Sequence, residues 1–127
     1  MRYLLDTHTL LWYGEAAPEL PAETDQLLRD PAAACYISRA SLWEVAIKVS
    51  LKKLILPVPF EIWQQQIQEA KFKLLEITDQ HLAALITLPL HHRDPFDRRL
   101  IAQAISDDLT LVSRDGHFAA YPVRVRW

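Results

Sequence analysis

Short apolar runs alternate along this chain with longer stretches in which apolar side chains recur every three or four residues. Tyr3-Leu4-Leu5, stopped by Asp6, is too brief for a helix and predicts a buried strand. Ala34 to Ile37, Lys73 to Ile77, Leu109 to Val112 and Val123 to Val125 read the same way. Between them lie the helical stretches. Leu10 to Tyr13 are dense in apolar side chains, in an element opened by Thr7 or His8 and broken at Gly14. Pro21 to Arg29 reads as a surface helix closed by Asp30-Pro31. Ser38 is a candidate N-cap for a helix over 39–50, with Ala40, Trp43, Ala46 and Ile47 as its apolar face. Phe60 to Ala70 carries Ile62, Trp63 and Ile67, and Thr78 caps a helix bearing Leu82, Leu85 and Ile86. Asp94 as N-cap with Pro95 in the first turn starts a helix with Phe96, Leu100, Ile101, Ala104 and Ile105, ending near Asp107-Asp108. Strands that look buried on both faces, alternating with amphipathic helices, predict an α/β domain with a mainly parallel sheet.

Composition narrows the chemistry. The 127 residues suit one domain, with no low-complexity linker or internal repeat to divide 1–127. Two glycines, Gly14 and Gly116, leave no phosphate-cradling glycine loop to write. Cys35 is the only cysteine, which excludes an internal disulfide or a cysteine zinc site and fits a reducing cytoplasm. No apolar run reaches the roughly 18–20 residues of a membrane span. The N-terminus reaches an acid at Asp6 without a signal-peptide core.

The acids are where the chain becomes specific. Ligands of open parallel α/β sheets sit beyond the carboxyl ends of the strands. Asp6 ends the first strand, Asp115 follows the strand over 109–112, Asp94 and Asp97 open a helix, and Glu44 lies inside an apolar one. Taken singly, each has a plain explanation: Asp6 and Asp94 as helix caps, Asp97 as complement to a helix dipole, Asp115-Gly116 as a turn, Glu44 as an ion pair with Lys48. Taken together, five carboxylates have routes to one edge of the sheet. Such a group repels itself unless protons or cations neutralise it, and oxygen ligands select Mg²⁺ or Mn²⁺.

In this order the motifs resemble those of PIN-domain ribonucleases. Asp6-Thr7-His8 after a first strand resembles the family's opening, and Ser41 to Lys48 resembles its second acidic motif. His92 to Arg98, running into Leu100 to Ala104, resembles the third, and Leu111 to Asp115 with Phe118 the fourth. The match spans essentially the whole chain and is closest to the VapC-like toxins of bacterial type II toxin–antitoxin systems. The resemblance implies a three-layer α/β/α sandwich and a Mg²⁺- or Mn²⁺-dependent endoribonuclease. It further implies a homodimer held inactive by a cognate VapB-like antitoxin. By motif position, Asp6, Glu44, Asp97 and Asp115 take the places of the catalytic, metal-holding quartet. Asp94 is an extra acid, as metal contact or as cap. Thr7 and Ser113 stand where the family places a supporting hydroxyl; many relatives carry Thr at the latter position.

Several basic residues lie close to these motifs. Arg39, Lys48, Arg93, Arg98 and Arg114 are candidates for RNA phosphates, as is Arg99, against the plainer expectation of a solvated face. His91-His92 suits a loop better than a transition-metal site, because neither His8 nor His117 is placed by sequence to help. The four tryptophans are expected mostly in the core, with Trp12 or Trp63 available to a dimer or antitoxin surface. Two other classes of function remain: a phosphatase-like hydrolase, which needs a second Asp where this chain has His8, and a non-catalytic binding module. The net charge of −2 does not exclude an RNA partner, since setting aside the quartet leaves +2 for the rest, and setting aside Asp94 as well leaves +3.

Overall fold

The computed structural model describes residues 1–91 and 93–127. Among these described residues there are five strands: β1 (Arg2–Leu5), β2 (Ala34–Ser38), β3 (Lys73–Leu75), β4 (Thr110–Val112) and β5 (Val125–Arg126). Six helices join them: α1 (Thr7–Glu15), α2 (Ala22–Arg29), α3 (Arg39–Ser50), α4 (Phe60–Glu69), α5 (Asp79–Thr87) and α6 (Pro95–Ser106). A 3-10 turn spans Gly116–Ala120. The sheet is parallel throughout, in the order β3-β2-β1-β4-β5.

Side-chain alternation along the strands builds a core on each face of the sheet. Tyr3 and Leu5 of β1 join Leu10, Ile37, Val45, Trp63, Ile67 and Val112 in one cluster. Leu4, between them, points the other way and packs with Leu100, Ile101, Ala104, Leu111 and Phe118. The result is the three-layer α/β/α sandwich. Cys35 lies in the first cluster, where burial first and Asp30 second push its thiol up to about 11, away from reactivity at neutral pH.

Local chemistry sets most boundaries where the pattern predicts them. Ser38 accepts a hydrogen bond from the Ala40 N–H and starts α3. Thr78 and His81 form a reciprocal capping box at α5. Asp94 caps α6, with Pro95 behind it. Three expectations are corrected. Gly14 does not break α1, which continues to Glu15; the left-handed C-cap is Ala16, at φ 50°. The buried stripe of α3 is Ala40, Ser41, Glu44 and Val45, so Trp43 rides outward at 62% exposure with its ring 5.6 Å from Phe96. On α5 the buried side chain is His81, while Leu82 and Ile86 face solvent. Of the tryptophans only Trp63 is fully buried, which removes it as a surface residue; Trp12 and Trp127 are half-buried. The edge strands β3 and β5 are shorter than the apolar runs that predict them, which limits the unpaired edge.

The topology matters most at β1. From it the chain builds outward to β2 and β3, then returns to place β4 and β5 on the other side. The strand order therefore reverses between β1 and β4, and the carboxyl ends of those two strands frame the crevice such sheets use for ligands. Among the described residues no helix is long and apolar enough to cross a membrane.

Candidate active site

Asp6 leaves the end of β1 and enters that crevice as the N-cap of α1. One carboxylate oxygen accepts from the Thr9 N–H at 2.7 Å, and the other accepts from the Ser113 hydroxyl, just beyond β4, at 2.5 Å. Thr9 in turn donates to the Val112 carbonyl at 2.8 Å, so side chains as well as the sheet tie the two strand ends together. Ser113 also accepts from the Asp115 N–H at 3.0 Å, which fixes the turn that carries the next acid.

The remaining acids arrive from two helices and that turn. Glu44, buried on α3, accepts from the Thr7 hydroxyl and from the Lys48 ammonium, each at 2.8 Å. Asp94 accepts from the N–H groups of Phe96 and Asp97, and Asp97 sits half-buried in the first turn of α6. Asp115 accepts from the N–H and the ring Nδ1 of His117, at 2.9 and 2.7 Å. Asp6, Glu44, Asp94, Asp97 and Asp115 all line one cleft of about 390 Å³, together with Thr7, His8, Lys48 and His117. The cap, turn and ion-pair explanations therefore hold for these residues at the same time as their convergence. A larger hollow of about 740 Å³ lies at the amino ends of β2 and β3, but among the described residues Asp30 is the lone carboxylate on its wall. Volume does not mark the chemistry here; the donor set does.

Whether that donor set suits a metal follows from its oxygens. Among the described residues no three acidic, His or Cys side chains already converge as a ligand cluster. Asp6, Glu44, Asp94 and Asp115 instead each accept hydrogen bonds from neighbouring donors. A carboxylate that accepts one hydrogen bond per oxygen keeps lone pairs for a further ligand. Five carboxylates on one cleft, an oxygen-rich donor set, fit a hard, oxygen-seeking divalent ion.

Other residues are distributed less simply. Lys48 stands in the cleft and Arg114 beside it. Arg39 is instead paired with Glu76, and Arg98 donates to the Pro89 carbonyl; neither lines the cleft, nor does exposed Arg93. The His91 ring packs on Tyr121, and His92 lies outside the described residues. His8 and His117, not expected from sequence to share a site, both line the cleft; each stands two residues after a site acid.

Arg99 is the residue whose place sequence reasoning missed. It is 7% exposed, with Nη1 3.4 Å from Gln103 Oε1 and with Nε and Nη2 unpartnered among the described residues. Burial lowers its pKa to about 10, against the upward pull of Glu44, Asp97 and Asp94. A buried cation thus underlies the acidic cleft. The signal was available, since Arg99 falls beside Leu100 and four residues before Gln103 on the buried face of α6.

With this geometry in hand, the comparisons with known proteins are decisive for family. Residues 3–123 match the PIN domain family. The chain is a PIN-domain protein. A curated relative, Ribonuclease VapC22 of Mycobacterium tuberculosis, is 28% identical over 113 residues, which cover 88% of this chain and 85% of the relative. The fold of this PIN domain is that of VapBC2 from Rickettsia felis bound to a promoter DNA fragment. There the TM-score is 0.76 at 18% identity, over 99% of this chain and 98% of the other. DNA-bound VapBC from Salmonella typhimurium gives a TM-score of 0.70 at 19% identity, over 99% and 97% of the two chains. Nucleases of the PIN-domain VapC kind are generally metal-dependent.

Proposed function

We propose that this PIN domain, acting as one unit over residues 1–127, is a Mg²⁺- or Mn²⁺-dependent endoribonuclease. We assign it as the VapC-like toxin of a toxin–antitoxin pair, working in the cytoplasm. The observation that carries the reading is the gathering of Asp6, Glu44, Asp94, Asp97 and Asp115 on one cleft at the reversal of strand order. The naming of the relative as a ribonuclease, and of fold neighbours as VapBC assemblies and toxin–antitoxin complexes, agrees with it. Partner surfaces fit as well. Leu82, Ile86 and Leu90 expose apolar side chains suited to a second copy of the chain. A groove of Val49, Leu54, Leu56, Val58 and Phe60 is open to an antitoxin segment.

In this mechanism Asp6, Asp97 and Asp115 would hold the divalent ion, and Glu44 would either join them or orient the attacking water. When bound, such an ion would make an attacking water more acidic and offset charge on the phosphodiester. Ser113 and Thr7 keep the carboxylates of Asp6 and Glu44 pointed at the cleft through the hydrogen bonds described above. Lys48 neutralises part of the Glu44 charge, and Asp94 holds the first turn of α6 in place beneath Asp97.

Incubation with total cellular RNA in Mg²⁺ or Mn²⁺, with and without EDTA, tests the reading when the cut ends are sequenced. Cleavage at a limited set of positions, abolished by EDTA, is expected. Intact RNA in both metals, or cutting that persists in EDTA, contradicts it; release of phosphate from small monoesters alone points to a phosphatase instead.

A further inference from the structure

Beside the acidic cleft lies a smaller hollow of about 230 Å³, lined by Asp6, His8, Trp12, Arg114 and Asp115. Asp6, His8 and Asp115 belong to both walls, so the two spaces share a rim. The far side of the hollow is aromatic. Trp12, on α1, has the His8 ring 5.6 Å away at a tilt of 31° and the edge of Trp127 at 5.7 Å. The Arg114 guanidinium carbon sits 4.7 Å over the Trp12 ring. Trp12 is held from below by the first core cluster, while His8 and Arg114 are exposed. The segments that deliver Asp6 and Asp115 thus also deliver an aromatic ring backed by the core and an exposed cation next to them.

An aromatic face with an adjacent guanidinium is the pairing that holds single nucleotides: the base stacks, and the cation meets the base or its phosphate. A duplex keeps its base faces stacked on their neighbours, so such a hollow selects unpaired residues. We infer that the Trp12–Arg114 hollow is a nucleotide subsite, receiving the base of an unpaired residue adjacent to the phosphate held in the acidic cleft. Arg114 leaves the ring face to the base and takes the flanking phosphate. This inference rests on the ribonuclease reading and adds the side chains that seat the nucleotide beside the cut. It makes cut-site choice depend on an unpaired nucleotide beside the scissile bond.

The test uses a short fluorescent oligoribonucleotide, single-stranded or annealed to its complement, and the intact protein with Trp12→Leu, Trp12→Phe and Arg114→Gln. Trp12→Leu keeps an apolar side chain against Trp127 and is expected to raise KM for the single strand about tenfold with kcat little changed, the scale of losing one base–aromatic stack. Trp12→Phe should recover most of that loss, and Arg114→Gln should raise KM and flatten its salt dependence. Fluorescence anisotropy in EDTA reads binding without cleavage, and there wild type should favour the single strand over the duplex. Unchanged KM and anisotropy in Trp12→Leu and Arg114→Gln at unaltered melting temperature overturn the subsite, as does equal affinity for the duplex. If wild type cuts no RNA, the activity reading fails, and the anisotropy series alone decides the subsite: weaker binding by Trp12→Leu supports it and unchanged binding overturns it.

Discussion

Replacing Asp97 with Asn should reduce RNA cleavage by roughly 100-fold or more, exceeding the loss usual for residues that merely support metal ligands. Asp97 sits half-buried in the first turn of α6 and faces the cleft shared with Asp6, Glu44, Asp94 and Asp115. Asn keeps the size of the side chain and removes its charge, so the cleft loses attraction for a divalent cation without losing a shape. The start of the helix does not depend on that carboxylate. It is the Asp94 side chain that caps α6, accepting the backbone N–H of Asp97, and this bond survives the substitution. The melting temperature should therefore move by a few degrees at most. Initial rates on one RNA at saturating Mn²⁺, beside a thermal melt, check both halves. Full activity at unchanged stability removes Asp97 from the machinery.

Replacing Arg99 with Met should stabilise the metal-free protein, by up to about 3 kcal/mol. The figure follows from the lowering of the guanidinium to about 10, converted at about 1.4 kcal/mol per unit. Burial is the main cause, and Nε and Nη2 lack partners among the described residues, so the folded state carries a cation poorly compensated for the water it has lost. The sign is clear at neutral pH. Below pH 10 both folded and unfolded chains hold the proton and the penalty is present in full; only between about 10 and the ordinary arginine value does the folded state release its proton first, so that stability rises. Buffer pH near neutrality leaves the effect untouched, and substitution is the way to expose it. Met fills similar length on the buried face of α6 with no donor to strand. A higher urea midpoint, by up to about 1–3 M, is expected, given urea m-values of about 1–3 kcal/mol/M. The cleft also loses its buried positive charge beside Glu44, Asp97 and Asp94, so Mn²⁺ should bind more tightly. A lower urea midpoint would show instead that Arg99 holds the acids together.

Much of the architecture is legible in the chain because its boundaries rest on local chemistry. Ser38, Thr78 and Asp94 cap helices through their own side chains, and Pro95 cannot continue a preceding strand. The β1 run is short and apolar because both of its faces are covered. What the pattern misplaces is the phase of α3 and α5. Apolar periodicity assigns Trp43, Leu82 and Ile86 to the inside, but the buried positions there include Glu44 and His81. Function takes Glu44 inward, toward the acidic cleft, and the helix turns its tryptophan out. The apolar side chains Leu82 and Ile86 of α5 are left exposed, a pattern that a single chain's periodicity cannot distinguish from a core face. The site acids are legible for a related reason: each also caps, turns or pairs locally, so its position along the chain is marked twice. Arg99 is not marked, because a buried arginine has no sequence signature beyond its phase on the helix. The stacking of Arg114 on Trp12 depends on the packing of α1 against the loop after β4, which periodicity does not describe.

The central claim is that the acidic cleft holds a divalent cation. Calorimetric titration of Mn²⁺ into the RNA-free protein tests it most directly, with wild type beside Asp6→Asn. Asp6 contributes both carboxylate oxygens to the junction of β1, α1 and β4, and its Asn variant retains the cap on Thr9 through the amide oxygen. Saturable Mn²⁺ binding by wild type, weakened at least tenfold in Asp6→Asn with the melt preserved, is the predicted result. No binding by folded wild type, or equal binding by both proteins, contradicts the account.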